Sequence, residues 1–267
     1  MNERNSVNSK PKHLVDVALV AAAIAFSAQP ASADDPAKLL KAMAEYTAAQ
    51  KSISATFESD IEVVTPELEK IQFTSSGRMQ LSRPDKLRIS RTGGYTDVDF
   101  IYDGKTASIY GNNAKAYVQA DLVGSIDQLV DLIQAKSGAA MPGTDLLLTN
   151  TYDVLMSNVV QAQHIGQGMI DGVECEHLAF RGADIDWQIW IESGARPVPR
   201  KYVITSKTVT GAPQYTLRIR DWKNDAVVEA DTFVFKPPAG ATKVDLDSGA
   251  MAEFDEIPPG TPSGAKK

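Results

Sequence analysis

The chain has 267 residues, 43% of them apolar, and a formal net charge of −7. That length allows one large domain or two small ones with a sizeable core, and the acidic balance argues against nucleic acid or an anionic membrane surface as main partner. The one cysteine, Cys175, excludes internal disulfides, so stability must come from the core alone.

Arg4, Lys10 and Lys12 precede a short apolar run, Val17 to Phe26, and Ala31-Ser32-Ala33 offers small residues ahead of Asp34. This pattern predicts a cleaved export signal over residues 1–33. The alternative, an uncleaved anchor, is opposed by the shortness of the run. No cysteine stands at the cleavage point to carry a lipid, so the mature protein is expected to be exported and soluble. Losing three basic and two acidic residues leaves it slightly more acidic.

Asp35-Pro36 predicts a helix start, an N-cap acceptor followed by proline at the first helical position. Leu39, Leu40, Met43, Ala44, Tyr46 and Thr47 then recur at helical spacing. From Ser52 the period becomes two. Ile53, Ala55, Phe57, Ile61 and Val63 alternate with Ser54, Thr56, Glu58, Asp60 and Glu62, which predicts a long half-buried antiparallel strand. Strands follow over Ile71–Leu81 and Leu87–Arg91 with Arg83-Pro84 between, then through Tyr102, the Asp103-Gly104 turn, Ile109, the Gly111-Asn112-Asn113 turn and Gln119. This is a meander of hairpins.

The period then returns to helical. Ser125 caps a helix bearing Ile126, Leu129, Val130 and Ile133, with Asp127 in its first turn. After the Gly138–Gly143 break, Thr144 begins a further predicted helix carrying Leu147, Leu148, Tyr152 and Leu155. Strands resume at Val159 and run through Phe235. The last residues, 247–267, are Pro/Gly-rich and expected to be disordered. Residues 34–246 are thus expected to form one α+β domain with about nine to eleven strands.

Few residues suggest chemistry. An Asp171-Gly172 hairpin turn would oppose Gly168 to Cys175, Gly166 to His177 and His164 to Ala179, bringing Cys175, His177 and His164 together. Such a set suits zinc or copper, but three ligands are few and a free cysteine is usually buried packing. Glu174, Glu176, Asp184 and Asp186 could do acid–base work only in a cleft; beside Arg181, Arg196, Arg200, Arg218 and Arg220 they read as cross-strand ion pairs. Trp187 shares a face with Ile189 and Ile191 and is expected in the core, whereas Trp190 points the other way, either into a binding rim or under a neighbouring strand or the tail. No Gly-x-Ser-x-Gly elbow, phosphate-binding loop or His-Glu-x-x-His occurs. No cofactor and no enzymatic activity are expected.

Three pieces, Gly77-Arg78-Met79-Gln80-Leu81-Ser82-Arg83-Pro84, Tyr102-Asp103-Gly104-Lys105-Thr106 and Phe233-Val234-Phe235-Lys236-Pro237-Pro238-Ala239-Gly240, resemble in order and spacing the periplasmic lipoprotein-carrier family with the LolA/LolB-like fold. The stretch Asp171–Ile204 resembles, more narrowly, a bacterial family of predicted periplasmic proteins, domain of unknown function 2092, which is thought to share that fold. The resemblance implies a strongly curved antiparallel sheet, a half-open barrel, with an N-terminal helix and a central helical lid over an apolar cavity. It also implies that Arg83 holds the lid. The expected lining is Phe57, Ile61, Met79, Leu81, Leu87 and Ile89 from the strands, with Leu129, Ile133 and Leu148 from the lid. A lipid or lipoprotein is the expected partner. A protein-interaction or envelope-stress sensor module with an envelope partner is the alternative, and a metal site at Cys175/His177/His164 a lesser one.

Overall fold

The computed structural model describes Met1 and residues 35–137, 142–229 and 231–245. The expected export signal, most of the Gly138–Gly143 break and the expected disordered tail lie outside the described residues. The chain divides into two units, Met1–Ser32 and Ala33–Lys267, and every element belongs to the second.

In chain order the elements are α1 (Pro36–Ala48), β1 (Ser52–Val64), β2 (Lys70–Ser82), β3 (Lys86–Gly93), β4 (Asp97–Tyr102), β5 (Thr106–Gly111) and β6 (Ala116–Asp121). Next come α2 (Ile126–Ser137), a 3-10 turn (Thr144–Leu147) and α3 (Thr151–Met156). Then follow β7 (Val159–Ile170), β8 (Val173–Gly182), β9 (Ile185–Glu192), β10 (Pro199–Ser206), β11 (Gln214–Asn224) and the two-residue β12 (Thr242–Lys243). The Asp35 carboxylate accepts from the Ala37 N–H at 3.0 Å, and Pro36 occupies the first turn, where its missing N–H leaves nothing unpaired.

All strands form one sheet in the order β12-β6-β5-β4-β3-β2-β1-β11-β10-β9-β8-β7. Among the described residues only β12, against β6, pairs in parallel. The run from β1 to β6 walks outward in one direction; the run from β7 starts at the opposite edge and walks back until β11 pairs with β1. Between β6 and β7 the chain must therefore cross from one edge of the sheet to the other. It does so over one face, which makes α2, the 3-10 turn and α3 a cover by topology alone. The sheet curves around this cover and remains unclosed. A flat sheet of this size would be roughly 50 Å across at about 4.8 Å per strand, too wide for so short a cover to serve both halves.

The covered face is built by alternation. One row crosses Ile53, Leu81, Leu87, Tyr102 and Ala107 on β1 to β5, all buried. The other half of the core sets Leu178, Phe180, Trp187, Ile189 and Tyr202 of β8 to β10 in one cluster with Leu40 and Met43 of α1 and Leu155 of α3. The Trp187 ring stacks on Phe180 with centroids 3.9 Å apart and meets Tyr202 edge-on at 5.8 Å.

Four expectations need correction. Eleven long strands and the short β12 exceed the expected nine to eleven. Phe233–Phe235 is not a strand: Phe233 is buried and Phe235 packs against Tyr110 and Tyr117, so this segment acts through its side chains. The helix expected from Thr144 is two pieces, because the Thr151 hydroxyl donates to the carbonyls of Asp145 and Leu148 and breaks the run between them. The fourth concerns β7. Its register shifts between His164 and Gly166, so His164 opposes Leu178 rather than Ala179 and faces away from His177.

Candidate functional site

Between the sheet and its cover lies a cavity of about 670 Å³. The next two rows of the covered face form its floor. Ala55, Met79, Ile89, Phe100 and Ile109 stand opposite one another on β1 to β5, followed by Phe57, Gly77, Arg91 and Val98. Gly77 is needed here. A Cβ on it would come within 2.1 Å of Phe57 Cζ and 2.6 Å of the Ser90 carbonyl oxygen, so the bare backbone lets the Phe57 ring lie across β2. Ile61 continues the wall on β1, and Tyr215, Leu217, Ile219 and Trp222 of β11 complete it. Leu129, Val130 and Ile133 of α2, with Thr144, Leu146 and Leu147 of the 3-10 turn, form the roof.

Of the residues expected to line such a space, Phe57, Ile61, Met79, Leu87, Ile89, Leu129 and Ile133 do reach it. Leu81 and Leu148 do not: both are buried in the adjoining core, Leu81 one row further towards the closed end. Phe57, Ile61, Ile89, Phe100, Ile109, Ile133, Tyr215 and Trp222 stay only half-buried. Large apolar side chains left partly uncovered in one concavity are the mark of a binding surface.

Two polar groups fasten the roof. The Tyr202 hydroxyl donates to Asp145 Oδ2 at 3.0 Å, and Asp145 Oδ1 accepts from the Leu146 N–H at 3.0 Å. The carboxyl of Asp145 points inward, and burial pushes its pKa up to about 6 although these hydrogen bonds pull the other way. Burial and the neighbouring Asp145 carboxyl likewise push the Tyr202 hydroxyl well above its ordinary value. At the root of α2, Arg83 keeps Nε and Nη2 buried without a hydrogen-bond acceptor. Burial lowers its pKa, while the attraction of Asp127 opposes that shift. Asp127 in turn accepts from the backbone N–H and the hydroxyl of Thr149, and the Ile126 N–H donates to the Pro84 carbonyl at 2.8 Å. Arg83 thus sits where the lid joins the sheet.

The family model described as predicted periplasmic protein (DUF2092) matches residues 36–247, which spans every strand and helix. The chain belongs to the DUF2092 family. The family is one of predicted periplasmic proteins, and the periplasm is this chain's compartment. No helix among the described residues is long and apolar enough to cross a membrane. No curated protein matches the sequence. Among solved structures, an uncharacterized conserved protein from Thermus thermophilus is 12% identical, with 78% of this chain and 96% of that one covered and a TM-score of 0.47. The Mycobacterium tuberculosis lipoprotein LppX is 14% identical, with 72% and 96% covered and a TM-score of 0.45. The Pseudomonas aeruginosa MucA/MucB complex is 14% identical, with 76% and 61% covered and a TM-score of 0.42.

In this DUF2092 chain the Cys/His cluster does not assemble. The Ile165 bulge turns His164 to the opposite face, where it meets Glu176 at 2.8 Å. His177 stays on the outer face, stacked on Trp190 at 4.0 Å and bonded to Gln188 at 2.9 Å; burial lowers its pKa. Cys175 is buried, which pushes its thiol up to about 11 and away from the thiolate a metal needs. Among the described residues no group of three or more His, Cys, Asp or Glu converges on a metal position. Trp190 is half-buried under Lys201, whose Nζ lies 4.7 Å from the ring. The expected cross-strand pairs are corrected: Glu176 meets His164 and Asp186 meets Lys207, while the arginines take other acids, Arg196 and Arg200 pairing with Glu192 and Arg220 with both Glu58 and Asp171.

Sequence reasoning missed the β11 wall and Asp145. Tyr215, Leu217 and Ile219 alternate legibly, but nothing local says that β11 pairs with β1. Asp145 gave no signal beside its apolar neighbours.

Proposed function

We propose that this protein is a non-enzymatic periplasmic binding protein that holds an apolar ligand, the acyl chain of a lipid or of a lipidated protein, between curved sheet and helical lid. The observation that carries this reading is the 670 Å³ cavity with a predominantly apolar, half-covered wall. Each buried CH₂ contributes about 0.8 kcal/mol, so such a wall supports useful affinity without specific polar contacts. In this reading Phe57, Ile61, Met79, Leu87, Ile89, Leu129 and Ile133 touch the ligand, Leu81 and Leu148 back them, and Arg83 steadies the lid root.

The test is native mass spectrometry of protein purified from the periplasm, followed by solvent extraction and lipid analysis. A co-purifying lipid is expected, and it should be lost in Phe57→Asp, a half-buried position that tolerates the charge, and in Leu129→Asp. A clean apo mass with no uptake of added fatty acid or lipopeptide rejects the reading.

One observation favours a second reading, a protein-interaction module. The 12-residue edge strand β7 contains no Lys, Arg, Asp, Glu or Pro and exposes Val160, Ile165 and Met169. Sheet edges usually carry such residues to discourage pairing; here only the two register shifts do so. An extended segment of an envelope protein could add to this edge. A photo-crosslinker at Gln163 should then capture one partner, and Ile165→Lys with Met169→Lys should abolish capture while leaving lipid uptake intact. Crosslinking at background level removes this reading.

A further inference from the structure

The cavity has a closed end, and burial along its floor marks it. In the row of Ile53, Leu81, Leu87, Tyr102 and Ala107 every side chain is buried. There the Tyr102 hydroxyl donates to the Gly124 carbonyl at 2.8 Å, just before α2, and ties the lid root down over that row. In the next row Ala55 and Met79 are buried, but Ile89, Phe100 and Ile109 only half so. Further out, Phe57, Val98 and Ile61 are all half-buried. A chain lying in this space meets a wall at Leu87 and leaves it towards Ile61.

A methylene group takes roughly the 30 Å³ that a water molecule has in the liquid. The cavity's 670 Å³ therefore holds about 20 chain carbons. That is enough for one acyl chain, whereas two chains of ordinary length need about twice the volume. In the second row Ala55 is the one small side chain, standing beside Met79, Ile89, Phe100 and Ile109. Gly77 leaves no such gap in the third row, because the Phe57 ring lies across it. Free depth at the closed end is thus set by Ala55 and by Met79 opposite it on β2. An apolar tail gains most at this dry end, and a polar head stays hydrated at the outer one. We infer that the cavity takes a ligand with a single acyl chain, its methyl end towards Leu87 and its head group on the Ile61 side, and that Ala55 and Met79 set the longest chain that fits. This rests on the acyl-binding reading and adds the number of chains, their direction and a length limit to it.

Delipidated protein should be titrated with saturated fatty acids from octanoate to docosanoate. Affinity is expected to rise about fourfold per added carbon and to level off at or before about 20 carbons, where the chain outgrows the cavity. Ala55→Leu fills the free depth and should bring this break to chains about three carbons shorter, one for each carbon it adds. Met79→Ala empties the same depth and should move the break about as far towards longer chains. It decides the matter alone if the leucine variant does not fold. A diacyl phospholipid should bind no more tightly than the lysophospholipid that carries one of its chains. Affinity still rising at docosanoate overturns the inference and leaves acyl binding standing. So does a break that stays put in either folded variant, or a diacyl lipid bound more tightly than its lysophospholipid. Failure of every chain to bind wild type overturns the acyl-binding reading itself, and this inference with it.

Discussion

Trp187→Ala is expected to lower stability by about 4 kcal/mol and the melting temperature by roughly 10 °C. The ring is buried, stacked on Phe180 at 3.9 Å and set edge-on to Tyr202 at 5.8 Å. Truncation therefore removes a large apolar surface together with two aromatic contacts, and it opens a void that flanking strands cannot collapse into without breaking register. Trp190→Ala provides the comparison. That ring lies half-buried on the outer face between His177 and Lys201, so its loss should cost only roughly 1–2 kcal/mol. Urea unfolding of both variants decides the matter. Similar losses for the two tryptophans would mean that the covered half of β8 to β10 is not a packed core.

Asp145→Asn should change how stability depends on pH. Burial raises the carboxyl from 3.8 to about 6 in the folded protein. The folded state thus holds this proton more tightly than the unfolded chain does. The stabilisation is fully present below about pH 4 and is lost as the pH rises through about 6. Above that the folded protein carries a buried charge, a penalty of about 3 kcal/mol at most, from about 1.4 kcal/mol per pH unit. The asparagine cannot titrate, and its amide oxygen can still accept from the Tyr202 hydroxyl. Relative to wild type, the variant should gain stability between pH 4 and 6.5 and keep that advantage at pH 7.5. Other titrating groups are common to both proteins and cancel in the comparison. Parallel stability curves across that range would show that the carboxyl is not buried as the Tyr202 contact implies.

Much of the wall was legible because β-strand alternation is a local property. Ala55, Phe57 and Ile61, or Leu87 and Ile89, share a face whatever lies beside them. The α2 residues Leu129 and Ile133 were legible for the same reason at helical spacing. Leu81 fits the same pattern as Met79 yet lies in the closed core, because the depth of a row under the lid is set by where α2 crosses, not by period. Arg83 was noticed through its motif, and its placement at the lid root depends on Asp127, 44 residues along the chain, packing back beside it. His164 went wrong for a smaller reason. One extra residue at the Ile165 bulge reverses a side chain's face, and bulges leave little trace in a single sequence.

The sequence by itself determined most of the elements and their inward faces, the Asp171-Gly172 turn with both residues at positive φ, and the absence of any disulfide framework. All of these follow from nearest-neighbour sterics, periodicity or composition. Only the tertiary structure decided that β11 closes against β1, that the cover must span the sheet from edge to edge, and that Tyr215, Leu217 and Ile219 line the space beneath it. Those depend on pairings between residues up to 171 positions apart, such as Ile53 with Asn224, and no local rule encodes which strands meet.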